Sequence, residues 1–364
     1  MFSPKTKRNI IRIIPFGVIW FIFGITYLLL ERGLLGQLDY YPATGNPYEF
    51  GGVTIIFIIS VVITGLLVGT FEILFLGTLF KSLSFGKKIL FKSIIYVALI
   101  LTFLVVSTVI NNAYILNSGF WDSDVWSNVW AFVFSFAFLS VVVFITVIIG
   151  ISIFFSEVSA NLGISVLHNF FVGKYHKPKV EERIFMFLDM KSSTTIAEKL
   201  GHEKYFQMLN AYYSDFTDSI INHNGEIYQY VGDEIVISWS LKNGLGDNNF
   251  LKCFFSLKAA LFNQSKRYLS KYGVIPTFKA GFHFGKVTIG EIGELKKDII
   301  FTGDVLNTTA RIQGLCNTFN VDLLISGQLR NKMMPAPNFQ IKSLGKKELR
   351  GKKELIELFT VHST

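Results

Sequence analysis

Cysteine is nearly missing from this chain: Cys253 and Cys316 are the two among 364 residues, and neither has a CxxC neighbour. A small disulfide-built scaffold is thereby excluded, and free thiols in a reducing compartment are expected. Charge is scarce as well. Only 17 % of residues are Asp, Glu, Lys or Arg, while 51 % are apolar and mean hydropathy is +0.44. That excludes a disordered or collagen-like chain and argues against a wholly soluble one. Internal repeats and low-complexity tracts are absent. The formal charge of +9 would suit nucleic acid or an anionic membrane surface. The basic residues are scattered and form no nucleic-acid motif, so no nucleic-acid partner is expected.

The charges are unevenly placed. Residues 1–160 hold 9 Lys/Arg and 7 Asp/Glu, and residues 161–364 hold the other 26 and 19. A greasy first half therefore precedes an ordinary, charged second half. Spanning a bilayer takes ~20 apolar residues in a helix. Four stretches qualify, near Ile13–Leu30, Val53–Phe80, Ile94–Ile110 and Val129–Phe155. The first is not read as a cleaved signal, because Leu30-Glu31-Arg32 offers no small-residue site. Lys5, Lys7, Arg8 and Arg12 precede the first span, and Lys81, Lys87, Lys88 and Lys92 lie between the second and third. The loops 31–52 and 111–128 hold one cation, Arg32, and several acids. The cationic loops should face the cytoplasm, which leaves both termini cytoplasmic in a multi-pass protein of the inner membrane. Tyr40, Tyr41, Trp121, Trp126 and Trp130 suit the outer interface. Glu72 is the one acid well inside a span. Such a carboxylate is a functional hypothesis by default; the plainer reading puts it near the inner interface, snorkelling to the headgroups. No broken pair of half-helices and no charge ladder suggests a transporter. What ligand a membrane domain would sense, beyond lipid, is not written in the sequence.

The expected domains are 1–155, four membrane helices; 156–181, a linker; and 182–364, a cytosolic domain. In the linker, Leu162, Val166 and Phe170 fit a short amphipathic helix, ended by Gly173 and Pro178. Arg183–Leu188 reads as a buried strand ending in Asp189. Ser193 or Thr194 would cap the next helix. A longer helix runs over 203–222, with Phe206, Leu209, Tyr213, Phe216 and Ile220 as its stripe. Gly225–Val231 and Glu234–Trp239 form a hairpin around Gly232-Asp233. A helix over 248–272 follows, then a strand pair, 277–284 and 286–292, around Gly285. A helix over 305–315 and strands over 321–325 and 355–361 complete an α+β domain, with helices on one face of a largely antiparallel sheet.

Asp189 ends one strand and Asp233 tips the next hairpin, so neighbouring strands can bring the two carboxylates face to face. Hard oxygen ligands beside phosphate oxygens are what Mg²⁺ prefers. The amides of Met190–Thr194 enter a helix N-terminus, a natural polyphosphate site. Asn307 and Arg311 stand at i and i+4, hence on one helix face. An amide and a guanidinium suit a ribose oxygen and a phosphate gaining charge. Lys352, in the basic loop LRGKKEL, is placed to hold phosphates. Each feature alone also has a bland reading as a turn or a solvated face.

Together, FLDMKSSTT, YQYVGDEIVISW, KAGFHFGKVTIGEIG, GDVLNTTAR and LRGKKEL resemble, in order, the motifs of the class III nucleotidyl cyclases. The resemblance covers about Glu182–His362 and implies a ferredoxin-like catalytic fold. It implies that Asp189 and Asp233, with the backbone of Met190, hold two Mg²⁺ or Mn²⁺ ions. It implies a polyphosphate over Lys191, Ser192, Ser193 and Thr194, a triphosphate lysine at Lys352, and transition-state residues Asn307 and Arg311. The reaction implied is attack of the ribose 3′-hydroxyl on the α-phosphate, giving a 3′,5′-cyclic nucleotide and pyrophosphate. A homodimer is implied too, with metal acids from one chain and Asn/Arg from the other. The base-reading positions depart from the pattern: Gln229 stands where Lys or Glu is usual, and Ile300, with Thr302 close by, where Asp, Thr or Cys is. ATP is the expected substrate, with GTP or a pyrimidine nucleotide left open, since an amide pairs with either purine. The rival readings are a diguanylate cyclase, on the likeness of Val231–Ile235 to its signature turn, and a catalytically degenerate membrane receptor.

Overall fold

The computed structural model describes residues 3–40, 50–80, 83–334, 337–351 and 354–363. The chain divides into two compact units, Lys7–His168 on one side and Met1–Thr6 with Asn169–Thr364 on the other.

The chain is helical up to Val172: α1 (Pro4–Leu35), α2 (Phe50–Leu74), α3 (Phe85–Leu116), α4 (Ser123–Val133), α5 (Phe136–Leu162) and α6 (Ile164–Val172). Among the described residues, four helices (α1, α2 from Thr54, α3 and α5) are long and apolar enough to cross a membrane. The expected second span ends early, at Leu74, and gives way to a 3₁₀ turn at Leu76–Thr78. The expected fourth span is two helices. Ser135 adopts an extended backbone and its Oγ accepts from the Phe138 amide at 3.2 Å, which starts a new helix there. Small residues let α1 and α2 close on each other. A Cβ on Gly65 would fall 2.6 Å from the Trp20 side chain, and one on Gly69 would fall 2.8 Å from Phe16. Leu162 ends α5 rather than opening the linker helix, because Gly163, at φ +87°, breaks the path. Gly173, at φ +63°, follows the end of α6, as expected.

Glu72 does not snorkel. It is 1 % exposed. Lys92 Nζ, also buried, donates to Glu72 Oε1 at 2.6 Å and to Glu157 Oε1 at 2.7 Å, while Tyr96 Oη donates to Glu72 Oε2 at 3.1 Å. One ammonium thus bridges carboxylates of α2 and α5.

The second unit runs β1 (Lys179–Met190), α7 (Ser193–Leu200), α8 (His202–Asn222), β2 (Glu226–Val231), β3 (Glu234–Ser240), α9 (Leu241–Leu245), α10 (Asn249–Asn263), α11 (Ser265–Tyr272), β4 (Phe278–Ile292), β5 (Asp298–Thr302), α12 (Asp304–Gly314), β6 (Leu323–Ser326), α13 (Gly327–Arg330), β7 (Phe339–Glu348) and β8 (Leu355–Ser363). Among the described residues the strands form one eight-stranded sheet, ordered β2-β3-β1-β4-β6-β8-β7 with β5 also on β4. All pairs are antiparallel except β4 with β6. This is the expected α+β class.

Ile184–Leu188 of β1 is continuously apolar because both faces of the strand are covered there. Ile184, Met186 and Leu188 join the large core with α8, α10 and α11. Phe185 and Phe187 point the other way, to Val236, Val287 and Val305. So α12 covers part of the face that the sequence reading left bare. The stripe of α8 is turned from the expected one: Met208, Tyr212, Phe216 and Ile220 are buried, and Phe206 is 65 % exposed. The expected 248–272 helix breaks at Gln264. The expected strand pair around Gly285 is a single strand, β4, held along its length by β1. Gly285 is needed for contact, not turning: a Cβ there would sit 3.2 Å from Val305. The partner of the second half of β4 is β5, and β8 pairs with β7; neither β5 nor β7 was expected from the sequence.

Candidate active site

The register of the sheet sets the site. Asp189, near the end of β1, lies between Glu234 on β3 and Lys279 on β4. Gly232, at φ +62°, makes the tight β2–β3 turn that carries Asp233. Tyr213 of α8 holds this tip, its hydroxyl 2.9 Å from the carbonyl oxygen of Gly232. The two acids then meet. Partial burial raises the pKa of Asp189, and the charge of Asp233 and a hydrogen bond with it raise it further. Glu234 is pushed up to about 7, by burial first and then by the charges of Asp189 and Asp233. Against this negative charge stand Lys279 Nζ, 3.5 Å from Asp189 Oδ2, and Gln313 Nε2, which donates to the same oxygen at 3.2 Å.

The donor chemistry fits a divalent cation. Carboxylates forced together are eased by a shared metal ion, and Mg²⁺ needs few protein ligands because it keeps waters and phosphate oxygens. Among the described residues no group of three or more His, Cys, Asp or Glu side chains is set to hold a metal, so the acids would act as a pair. Met190 offers only its main chain, since its side chain is in the core.

The turn after β1 departs from the expected cap. α7 begins at Ser193, and Ser192 occupies the cap position in a left-handed conformation, φ 54°, with no side-chain cap bond. The first amides of α7, at Ser193 and Thr194, are thus not capped by a side chain. Lys191 is anchored elsewhere. Its amide donates to Thr277 O at 2.8 Å, and its ammonium is ion-paired with Asp322, which also takes Lys258 at 2.7 Å. Partial burial alone would raise the Asp322 carboxyl; these two lysines hold it below its ordinary range.

Gln229 is exposed on β2 beside a bulge, and Ile300 and Thr302 flank Phe301 on β5. These strands are not sheet neighbours, yet Tyr228 stacks on Phe301 at 4.5 Å, and its hydroxyl accepts from the Phe301 amide at 3.2 Å. The two segments expected to read the base are therefore close in space. Asn307 is exposed on α12 and Arg311 is half-buried. Among the described residues neither side chain makes a hydrogen bond or ion pair, with Asp189 and Asp233 or with any other group. A side chain at Gly351 would meet the Arg311 guanidinium at 3.6 Å. Lys352, the next residue, lies outside the described residues.

Sequence reasoning missed Lys279, Gln313 and Glu234. Glu234 adjoins Asp233 and was in plain view. Lys279 needed the β1–β4 register, and Gln313 needed the packing of α12. A cavity of about 460 Å³, lined by His283, Lys286, Asp304, Asn331 and Glu357, opens beyond the end of β6 and touches none of the expected site residues.

The profile of the family described as "Adenylate and Guanylate cyclase catalytic domain" matches residues 175–363. Adenylate cyclase 2 of Rhizobium meliloti (strain 1021) is 32 % identical over 209 residues, 57 % of this chain and 58 % of that protein. Adenylate cyclase 1 of the same strain is 25 % identical over 189 residues, 50 % of this chain and 27 % of that protein. The chain thus spans well under two thirds of the length of either relative. Among solved structures, the adenylyl cyclase CyaB from P. aeruginosa matches with a TM-score of 0.46 at 15 % identity, over 52 % of this chain and 97 % of that one.

Proposed function

The chain belongs to the family of adenylate and guanylate cyclase catalytic domains, and from that premise we propose that it is a membrane-anchored adenylate cyclase that turns ATP into 3′,5′-cyclic AMP and pyrophosphate. The observation that carries this reading is the meeting of Asp189 and Asp233 beside the uncapped start of α7.

Asp189 and Asp233, with the Met190 main chain, would hold Mg²⁺ or Mn²⁺, two ions per site. Bound there, the cations supply a lower pKa for the attacking hydroxyl and positive charge for the departing pyrophosphate. The turn Lys191–Ser192 and the amides of Ser193 and Thr194 receive the polyphosphate at the helix N-terminus. Because the Lys191 ammonium is engaged by Asp322, this residue serves through its place in the turn rather than its charge. The 3′-hydroxyl gives its proton to solvent water as its oxygen attacks the α-phosphorus, the bond to the bridging oxygen of the β-phosphate breaks, and the electron pair leaves with pyrophosphate. Asn307 orients the ribose, and Arg311 meets the charge growing on the α-phosphate. Both have unused hydrogen-bonding groups within the chain, which supports their serving a second copy in a homodimer. Lys352 holds the triphosphate. Gln229, with Ile300 and Thr302, reads the base, and its amide accepts either purine by turning over.

The helical half anchors the enzyme in the inner membrane with both termini in the cytoplasm, and 156–181 relays its state to the catalytic domain. The test is purified full-length protein with ATP or GTP and Mg²⁺ or Mn²⁺, the product identified by chromatography with mass detection. Cyclic AMP is expected. Cyclic GMP as the main product would exchange adenine for guanine, and no cyclic product from either nucleotide would sink the proposal.

A further inference from the structure

Gln313 was not among the expected site residues, yet it is built tightly into the site. It lies near the end of α12, two residues after Arg311. That is ~200° around the helix, so Gln313 faces the sheet while Arg311 does not. The helix backbone approaches β4 very closely at this point. A Cβ on Gly281 would lie 2.4 Å from the Gln313 nitrogen and 2.6 Å from its Cα. Gly281 pairs with Phe187, two residues before Asp189 on β1. Docked there, Gln313 is 7 % exposed and its amide reaches Asp189 Oδ2 at 3.2 Å.

We propose that Gln313 is a positioning residue joining the two active sites of the dimer: it fixes the metal-binding Asp189 of its own chain to the helix whose Asn307 and Arg311 serve the partner's site. This rests on the shared-site reading above. A shift of α12 on binding nucleotide at one site would then move the Asp189 carboxylate of the other.

A heterodimer with one competent site tests the link. One full-length chain carries Asn307→Ala and Arg311→Ala and supplies the acids; the other carries Asp233→Ala and supplies the amide and guanidinium. Gln313→Leu is placed in either chain, with Gln313→Met, which keeps the length and lacks a donor, as the second variant if the first does not fold. In the acid-supplying chain it should raise the Mn²⁺ half-saturation roughly tenfold, as loss of a partner to a metal ligand does, with kcat at saturating Mn²⁺ unchanged. In the other chain it should lower kcat roughly tenfold through misplacement of Asn307 and Arg311, with half-saturation unchanged. Without nucleotide, free Mn²⁺ followed by electron paramagnetic resonance should show correspondingly weaker binding to the Gln313→Leu homodimer. The same effect from either chain, an effect from one chain only, or unaltered Mn²⁺ binding overturns the link. An inactive parent heterodimer, with Gln313 intact and dimerisation verified, instead strikes down the shared-site reading beneath it.

Discussion

At the scale of the residue, Asp189 and Asp233 carry the most weight. Replacing either by Ala should remove metal-dependent cyclase turnover, with far-UV circular dichroism and the melting temperature near those of the parent. A half-buried acid facing another acid contributes little to the fold, so the substitution relieves repulsion. Retained turnover in either variant would remove the pair from the mechanism. Their neighbour Glu234 sets a pH dependence. Its folded pKa, about 7, lies above its ordinary 4.5. Such a group favours the fold fully below its unfolded value, and that contribution is lost as pH rises through the folded value. The raised Asp189 works in the same direction. The metal-free protein should therefore become less stable from about pH 4.5 to about pH 7 through these groups. Mn²⁺ needs the ionised carboxylates, so the rise in melting temperature on adding it should be larger at pH 8 than at pH 6. Equal rises at both would contradict the pairing. The acids were legible in the sequence because each ends a short local pattern. Lys279 and Gln313 were not, because their roles come from neighbours 90 and 124 positions away in the chain.

At the scale of the element, local period identified most helices and strands, and it failed where a long-range contact, a local cap, a polar edge strand or an outward apolar residue overrode it. Gly285 reads as a turn until β1 is laid along β4. Ser135 splits an apolar run that hydropathy alone joins. β7 was missed because it is a polar strand paired only with β8. The stripe of α8 was misplaced because Phe206 is apolar but outward. The helices α2, α3 and α5 yield a prediction of their own. Lys92 separates two carboxylates in a nearly water-free site, so Lys92→Met leaves buried charge without its counter-ion. A loss of about 3–5 kcal/mol is expected for breaking such a group, measured by denaturation of the full-length protein in detergent. Adding Glu72→Gln and Glu157→Gln to Lys92→Met should restore most of it. A Lys92→Met protein as stable as the parent would mean that the charges are hydrated.

At the scale of the whole molecule, the decisive question is whether two chains complete one site. Asp233→Ala and Asn307→Ala homodimers should each be inactive, and a mixture that exchanges subunits should recover activity from the one intact site per heterodimer. Verified heterodimers without turnover would mean that Asn307 acts within its own chain. The change from a charge-poor to a charged half is visible in the sequence before any coordinates. The family match over residues 175–363 falls entirely within the charged half.

By itself, the sequence determined the apolar-then-charged order of the chain and the α+β class of its second half, and it picked out the acids, amide and guanidinium proposed here for the chemistry. Those follow from composition and short periods, which act over a few residues. The tertiary structure alone decided that Glu72 is locked into a buried ion bridge, that α12 lies against the sheet, and that Gln313 reaches Asp189. Strand register and helix docking depend on packing between distant segments, and no local period carries that information.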